Sequence, residues 1–127
     1  MAWCFENQSD DYTRGILTRL DREEASVPSV WPLEVANALA VGERRKKITR
    51  AAAAGFVSIL GALPIFVEED THRRALGPIL ALARERNLSA YDAAYLELAI
   101  REALLLATRD EALRKAARAV GVPLVRK

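Results

Sequence analysis

LSAYDAAYLELAIREALLLATRD, residues 88–110, decides the fold class. Ser89 caps a helix over Ala90–Glu102, because a serine hydroxyl can accept from an N–H that the first turn leaves unpaired. Leu104–Thr108 then reads as an apolar strand of the kind buried on both faces of a parallel sheet. Asp110 opens a helix to Ala119, which Gly121 ends, and Val122–Val125 reads as a last strand. Upstream the same alternation continues. Asp70 or Thr71 begins a helix that runs to about Asn87, Pro64–Val67 is a strand, and Thr49 caps Arg50–Leu63, whose alanines favour helix. Pro32 suits a first helical turn, opening a helix to about Lys47, and Ala25–Pro28 is a short strand. Asp10 or Asp11 caps a helix to about Glu24, with Tyr12, Ile16, Leu17 and Leu20 on one stripe. Short strands alternating with helices predict an α/β fold, a three-layer α/β/α sandwich around a short parallel sheet. With no long linker, low-complexity tract or internal repeat, residues 1–127 read as a single domain.

Composition narrows the chemistry. The 127 residues are 51% hydrophobic and 28% charged, enough to bury a single core. A net charge of +2 excludes both an acidic disordered chain and a polycationic nucleic-acid coat. One cysteine, Cys4, excludes an internal disulfide framework and a cysteine zinc site, and one histidine, His72, excludes a multi-histidine centre. A metal in this chain must be held by oxygen, which selects Mg²⁺ or Mn²⁺. No apolar run approaches the roughly 20 residues a bilayer requires, and no signal peptide opens the chain, so a soluble cytoplasmic protein is expected. No glycine-rich phosphate loop or serine-nucleophile elbow occurs, and His72 sits in a charged, solvent-facing run.

Most acids lie among other charges, but three do not. Glu34 projects from a helix apolar almost all round, near Ala38 and Val41. It is either an enclosed carboxylate or one paired with Arg45, which lies within about 20° of it on the helical wheel. Asp92 falls in the apolar arc that holds Tyr91, Tyr95, Leu96 and Leu98; it is either enclosed for a purpose or a first-turn acid serving the helix dipole. Glu97 points away, toward the surface, with Arg101 one turn on. Asp110 directly follows the strand at 104–108, an address where parallel sheets bind ligands, or it simply caps the next helix. Converging carboxylates repel one another unless a divalent cation compensates them, and such a site can hydrolyse a phosphodiester without a covalent nucleophile.

Three segments carry a resemblance: Val-Pro-Ser-Val-Trp-Pro-Leu-Glu-Val-Ala-Asn-Ala-Leu (27–39), Leu-Ser-Ala-Tyr-Asp-Ala-Ala-Tyr-Leu-Glu-Leu-Ala (88–99) and Leu-Ala-Thr-Arg-Asp-Glu-Ala-Leu (106–113). Together, in order and across the chain, they resemble PIN-domain ribonucleases, and among these VapC-type toxins of bacterial toxin–antitoxin pairs. The resemblance implies a PIN-like fold, a carboxylate site for Mg²⁺ or Mn²⁺, endoribonuclease activity on RNA, a homodimer and inhibition by a cognate antitoxin. It maps Glu34, Asp92 and Asp110 onto acidic site positions, with Asp92 holding metal directly and the other two orienting water. Asn37 and Thr108 match its accompanying polar positions. Arg44, Arg45, Lys46 and Lys47, with Arg50, are candidates for RNA backbone contacts, or a solvated helix end.

The family normally opens with a central strand ending in a metal-binding aspartate. Met1-Ala-Trp-Cys-Phe-Glu-Asn resembles the helix after that strand, so both are expected to be absent, and Glu6, Asp10 and Asp11 replace the aspartate poorly. The natural chain is therefore expected to begin upstream of Met1, a genuine shortened variant being the other account. The competing functional reading is a catalytically inactive, antitoxin-binding module, with Trp3, Phe5, Tyr12 and Leu17 contributing to an apolar docking patch.

Overall fold

A computed structural model describes residues 2–5 and 23–125. Four short strands, β1 (Ala2–Phe5), β2 (Glu24–Val27), β3 (Ile65–Val67) and β4 (Leu105–Ala107), form one parallel sheet in the order β3-β2-β1-β4. Helices α1 (Trp31–Arg44), α2 (Arg50–Ala62), α3 (Thr71–Arg74), α4 (Leu80–Arg86), α5 (Ala90–Glu102) and α6 (Glu111–Ala119) connect them in the α/β sandwich that the alternation predicts.

The expected loss of the first strand is overturned. Ala2–Phe5 is itself a strand, paired with β2 from Ala2↔Glu24 to Cys4↔Ser26 and with β4 from Trp3↔Leu105 to Phe5↔Ala107. It occupies the interior of the sheet. A four-residue apolar run is too short for periodicity to separate strand from helix, and Trp and Phe favour the pleated, two-neighbour environment that β2 and β4 provide. The helix expected to run from Asp10 or Asp11 to Glu24, and the side chains of the suggested Trp3–Phe5–Tyr12–Leu17 patch, lie outside the described residues, except that Glu24 itself begins β2.

Two further elements differ from expectation. The helix expected from 71 to 87 is broken by a π-helical turn over Ala75–Ile79 that contains Pro78. Proline brings no N–H and crowds the carbonyl one turn back, and a widened turn absorbs both defects. The strand expected at Val122–Val125 contracts to one parallel bridge, Leu106↔Leu124, held by Leu106 N–H on the Pro123 carbonyl and Val125 N–H on the Leu106 carbonyl, each 2.9 Å. Pro123 cannot extend the ladder because it has no donor.

Elsewhere local chemistry fixes the boundaries. Thr49 Oγ1 accepts from Ala52 N–H and Ser89 Oγ from Asp92 N–H, both at 3.0 Å, so α2 and α5 start where the sequence places their caps. At the end of α5, Ala103 turns left-handed (φ 54°) and Leu104 N–H closes onto the Ala99 carbonyl at 2.9 Å, reversing the chain into β4. Val27, Tyr95, Leu96, Leu98, Leu106 and Leu113 fill the core between the sheet and α5 and α6.

Candidate metal centre

All strands run parallel, so their carboxyl ends share one edge, the usual ligand address of such sheets. Glu34 stands in the first turn of α1, soon after β2 ends, and Asp110 follows β4 by three residues. Phe5, the last residue of β1, lies beside Ala107 at the same edge.

The central observation joins α1 to α5. Tyr95 Oη donates a short hydrogen bond to Glu34 Oε1. Partial burial pushes the Glu34 carboxyl above its ordinary range; the Tyr95 hydrogen bond works against this, and the negative charge of Asp92 adds to it. Glu34 and Asp92 thus meet across the helix interface, both partly buried. Arg45, the alternative partner for Glu34, is exposed and remote from this contact. Among the described residues no cation rests on either carboxylate.

Asp110 does something different. Its Oδ2 accepts from Leu113 N–H at 3.3 Å, capping α6, while its own N–H donates to Thr108 Oγ1 at 3.1 Å. Thr108 is fully buried, and its carbonyl accepts from Arg114 Nη1 at 2.8 Å. Arg114, only 7% exposed, also reaches the Val125 carbonyl at 3.4 Å, so one guanidinium ties the Asp110 turn to the C-terminal segment. Sequence reasoning missed Arg114, although its place between Leu113 and Ala117 on an otherwise apolar stripe was the available signal.

Three other expectations change. Glu97 is not a surface residue: it is 6% exposed and accepts from Arg74 Nε at 2.6 Å as well as from Arg101 Nε at 3.0 Å. The i+4 partner was legible, but Arg74 comes from α3, 23 positions earlier, and covers the carboxylate. Tyr91, expected in the apolar arc, is 62% exposed, because the arc that faces the core is centred on Tyr95 and Leu98. Asn37 is exposed and forms no hydrogen bond among the described residues. His72 is exposed, as expected.

A divalent cation fits this arrangement in part. Two carboxylates held together without a counter-charge are oxygen donors of the kind Mg²⁺ or Mn²⁺ takes. Among the described residues, however, no three His, Cys, Asp or Glu side chains are grouped to hold a metal ion. The expected convergence of Glu34, Asp92 and Asp110 into one triad is therefore reduced to the Glu34–Asp92 pair, with Asp110 engaged at its helix start. No helix among the described residues is long and apolar enough to cross a membrane.

Comparison with known proteins agrees with this architecture. The PIN domain family profile matches residues 2–119, beginning in β1 and ending with α6. The crystal structure of PAE2754 from Pyrobaculum aerophilum superposes with a TM-score of 0.66 at 23% identity, over 91% of this chain and 87% of that one. No curated protein matches the chain.

Proposed function

The chain belongs to the PIN domain family, whose members are in general metal-dependent nucleases, and on that premise we propose that it is an Mg²⁺- or Mn²⁺-dependent endoribonuclease, the toxin of a type II toxin–antitoxin pair. One observation carries the nuclease reading: a raised, tyrosine-bound Glu34 beside Asp92, with no cation among the described residues on either. Burial and like-charge repulsion are retained here at a cost to the fold, which is the signature of a functional carboxylate pair.

In this reading Asp92 and Glu34 would hold the cation, and Tyr95 fixes the Glu34 rotamer by donating to Oε1. When bound, the divalent ion supplies Lewis-acid polarisation of a phosphodiester oxygen and a lowered pKa for the attacking water. Asp110 would contribute only its Oδ1 to the polar edge, since Oδ2 is committed to α6. Asn37 and the Thr108 turn support the polar surroundings. Glu6, Asp10 and Asp11, the poor replacements for the family's first-strand aspartate, lie outside the described residues. A homodimer, a cognate antitoxin and a cytoplasmic location complete the proposal.

The lack of a three-donor group among the described residues favours one second reading, the inactive antitoxin-binding module. Calorimetric titration with Mn²⁺ separates the two. The nuclease binds Mn²⁺ and cleaves RNA, and Asp92→Asn weakens both. Absent binding at millimolar Mn²⁺, or undiminished cleavage by Asp92→Asn, refutes the nuclease.

A further inference from the structure

The turn joining α1 to α2 carries Arg44, Arg45, Lys46, Lys47 and Arg50, all exposed. Among the described residues none of the five forms an ion pair. With Glu43 the segment 43–50 has a net charge of +4, whereas the whole chain has +2, so everything else sums to −2. The chain's net positive charge thus comes from this knuckle. Glu43, Lys46, Lys47, Thr49 and Arg50 line an open groove of about 580 Å³ together with Ile48 and Ala52, so three cations there outnumber one acid. Concentrated, unpaired, groove-lining cations are an electrostatic footprint for a polyanion.

The groove is also at a defined distance from the acids. Glu34 and Arg44 belong to the same helix, ten residues apart, which is about 15 Å of axial rise. Stacked nucleotides advance about 3.4 Å per phosphate along a strand, so the interval corresponds to roughly four or five phosphates. We propose that the 44–50 knuckle is an RNA exosite: it grips the phosphate backbone four or five nucleotides from the bond presented to Glu34 and Asp92. This rests on the nuclease reading for its orientation, though not for its affinity.

RNA is favoured over an acidic protein by the charge density of the knuckle. A phosphate strand carries one charge per nucleotide, and five exposed lysines and arginines within residues 44–50 bind such a strand by releasing its counterions. The exosite would make short fragments poor substrates and longer strands good ones.

The test compares the wild-type chain with Arg44→Gln/Arg45→Gln/Lys46→Gln/Lys47→Gln, and with Lys115→Gln/Arg118→Gln as a control for lost charge elsewhere. Binding of a fluorescent 12-nucleotide 2′-O-methyl RNA is followed by anisotropy in EDTA from 50 to 200 mM salt. Four phosphate contacts to a single strand give a slope of about −2.8 in log affinity against log salt, a loss of about fifty-fold over that range. The quadruple variant should lose that slope, and the control should keep it. An unchanged slope in the quadruple variant overturns the exosite, as does competition by polyglutamate as effective per charge as RNA, which would make the knuckle a surface for acidic proteins. If the wild type binds as expected yet cleaves no RNA with Mn²⁺, the exosite stands and the nuclease reading falls.

Discussion

Glu97→Gln removes the only buried carboxylate of a four-residue charge cluster, and the structure sets the size of the effect. Glu97 accepts three hydrogen bonds, from Arg74 Nε at 2.6 Å and from Arg101 Nε and Nη2 at 3.0 and 3.2 Å. Arg101 Nη2 also reaches Glu68 at 3.1 Å, so two cations balance two acids. Burial alone would lower the Arg101 pKa, but the hydrogen bonds to Glu97 and Glu68 override it and raise it above its ordinary value. Breaking a fully buried pair costs about 3–5 kcal/mol. Here the Arg74 and Arg101 side chains are 35% and 20% exposed and partly resolvate, so the expected loss is about 2–3 kcal/mol. For a domain of this size that lowers the melting midpoint by roughly 10 °C. Urea unfolding followed by circular dichroism gives the free energy, and an unchanged m-value shows that the native state is intact. Because Arg101 is shared, Glu97→Gln and Arg101→Met should be less than additive, by about 0.5 kcal/mol or more. A loss under about 0.5 kcal/mol, or strict additivity, would refute the account of this cluster.

Two other outcomes follow from the same coordinates. Glu34 has a raised pKa in the fold, so the stability it contributes is full below its unfolded value near 4.5 and is lost as pH rises through the folded value. Glu34→Gln should therefore raise the metal-free melting midpoint at pH 7, with the gain shrinking toward pH 4.5, and thermal scans across that interval check it. Ala103 holds φ 54° where glycine is unstrained; Ala103→Gly should stabilise the chain by about 0.5–1 kcal/mol in urea melts, the αL penalty outweighing the entropy glycine adds to the unfolded state.

Capped, strongly periodic elements were legible in the sequence. Thr49, Ser89 and Asp110 each state their role locally, and the helices that they start lie where the sequence puts them. Tertiary neighbours decided the rest. Ala2–Phe5 becomes a strand because β2 and β4 pair with it from 22 and 102 residues away, information that a four-residue window does not hold. Glu97 was misread as exposed because its helical partner Arg101 was visible and Arg74 was not. At the site, Glu34 and Asp92 were picked out as acids in apolar company, and the structure brings these two together. Asp110 was picked out by the same logic, and its helix start accounts for one of its oxygens. Tyr95 was legible as apolar packing; its hydroxyl on Glu34 was not, because nothing in sequence aligns the two helices.

Two carboxylates in this fold experience opposite surroundings. Burial tends to raise Glu68, but hydrogen bonds from Arg101, the Asp70 N–H and Thr71 hold it below the usual range, so its stabilisation is present above the unfolded value and is lost as pH falls through the folded one. Thr71 Oγ1 in turn accepts from Ser29 N–H at 3.0 Å, so this satisfied cluster anchors the segment that leads from β2 into α1. Glu34, five residues along, is given no cation although the chain has 19 lysines and arginines to supply one. Five of those cations instead lie at and just beyond the far end of that helix, from Arg44 to Arg50, and form no ion pair among the described residues. This separation suits the proposed reading, in which a cation is received at one end and a phosphate strand at the other. The rigid, neutralised Glu68 cluster and the un-neutralised Glu34–Asp92 pair are then complementary parts of one arrangement, the first fixing the backbone that the second needs in order to present its oxygens at a constant spacing.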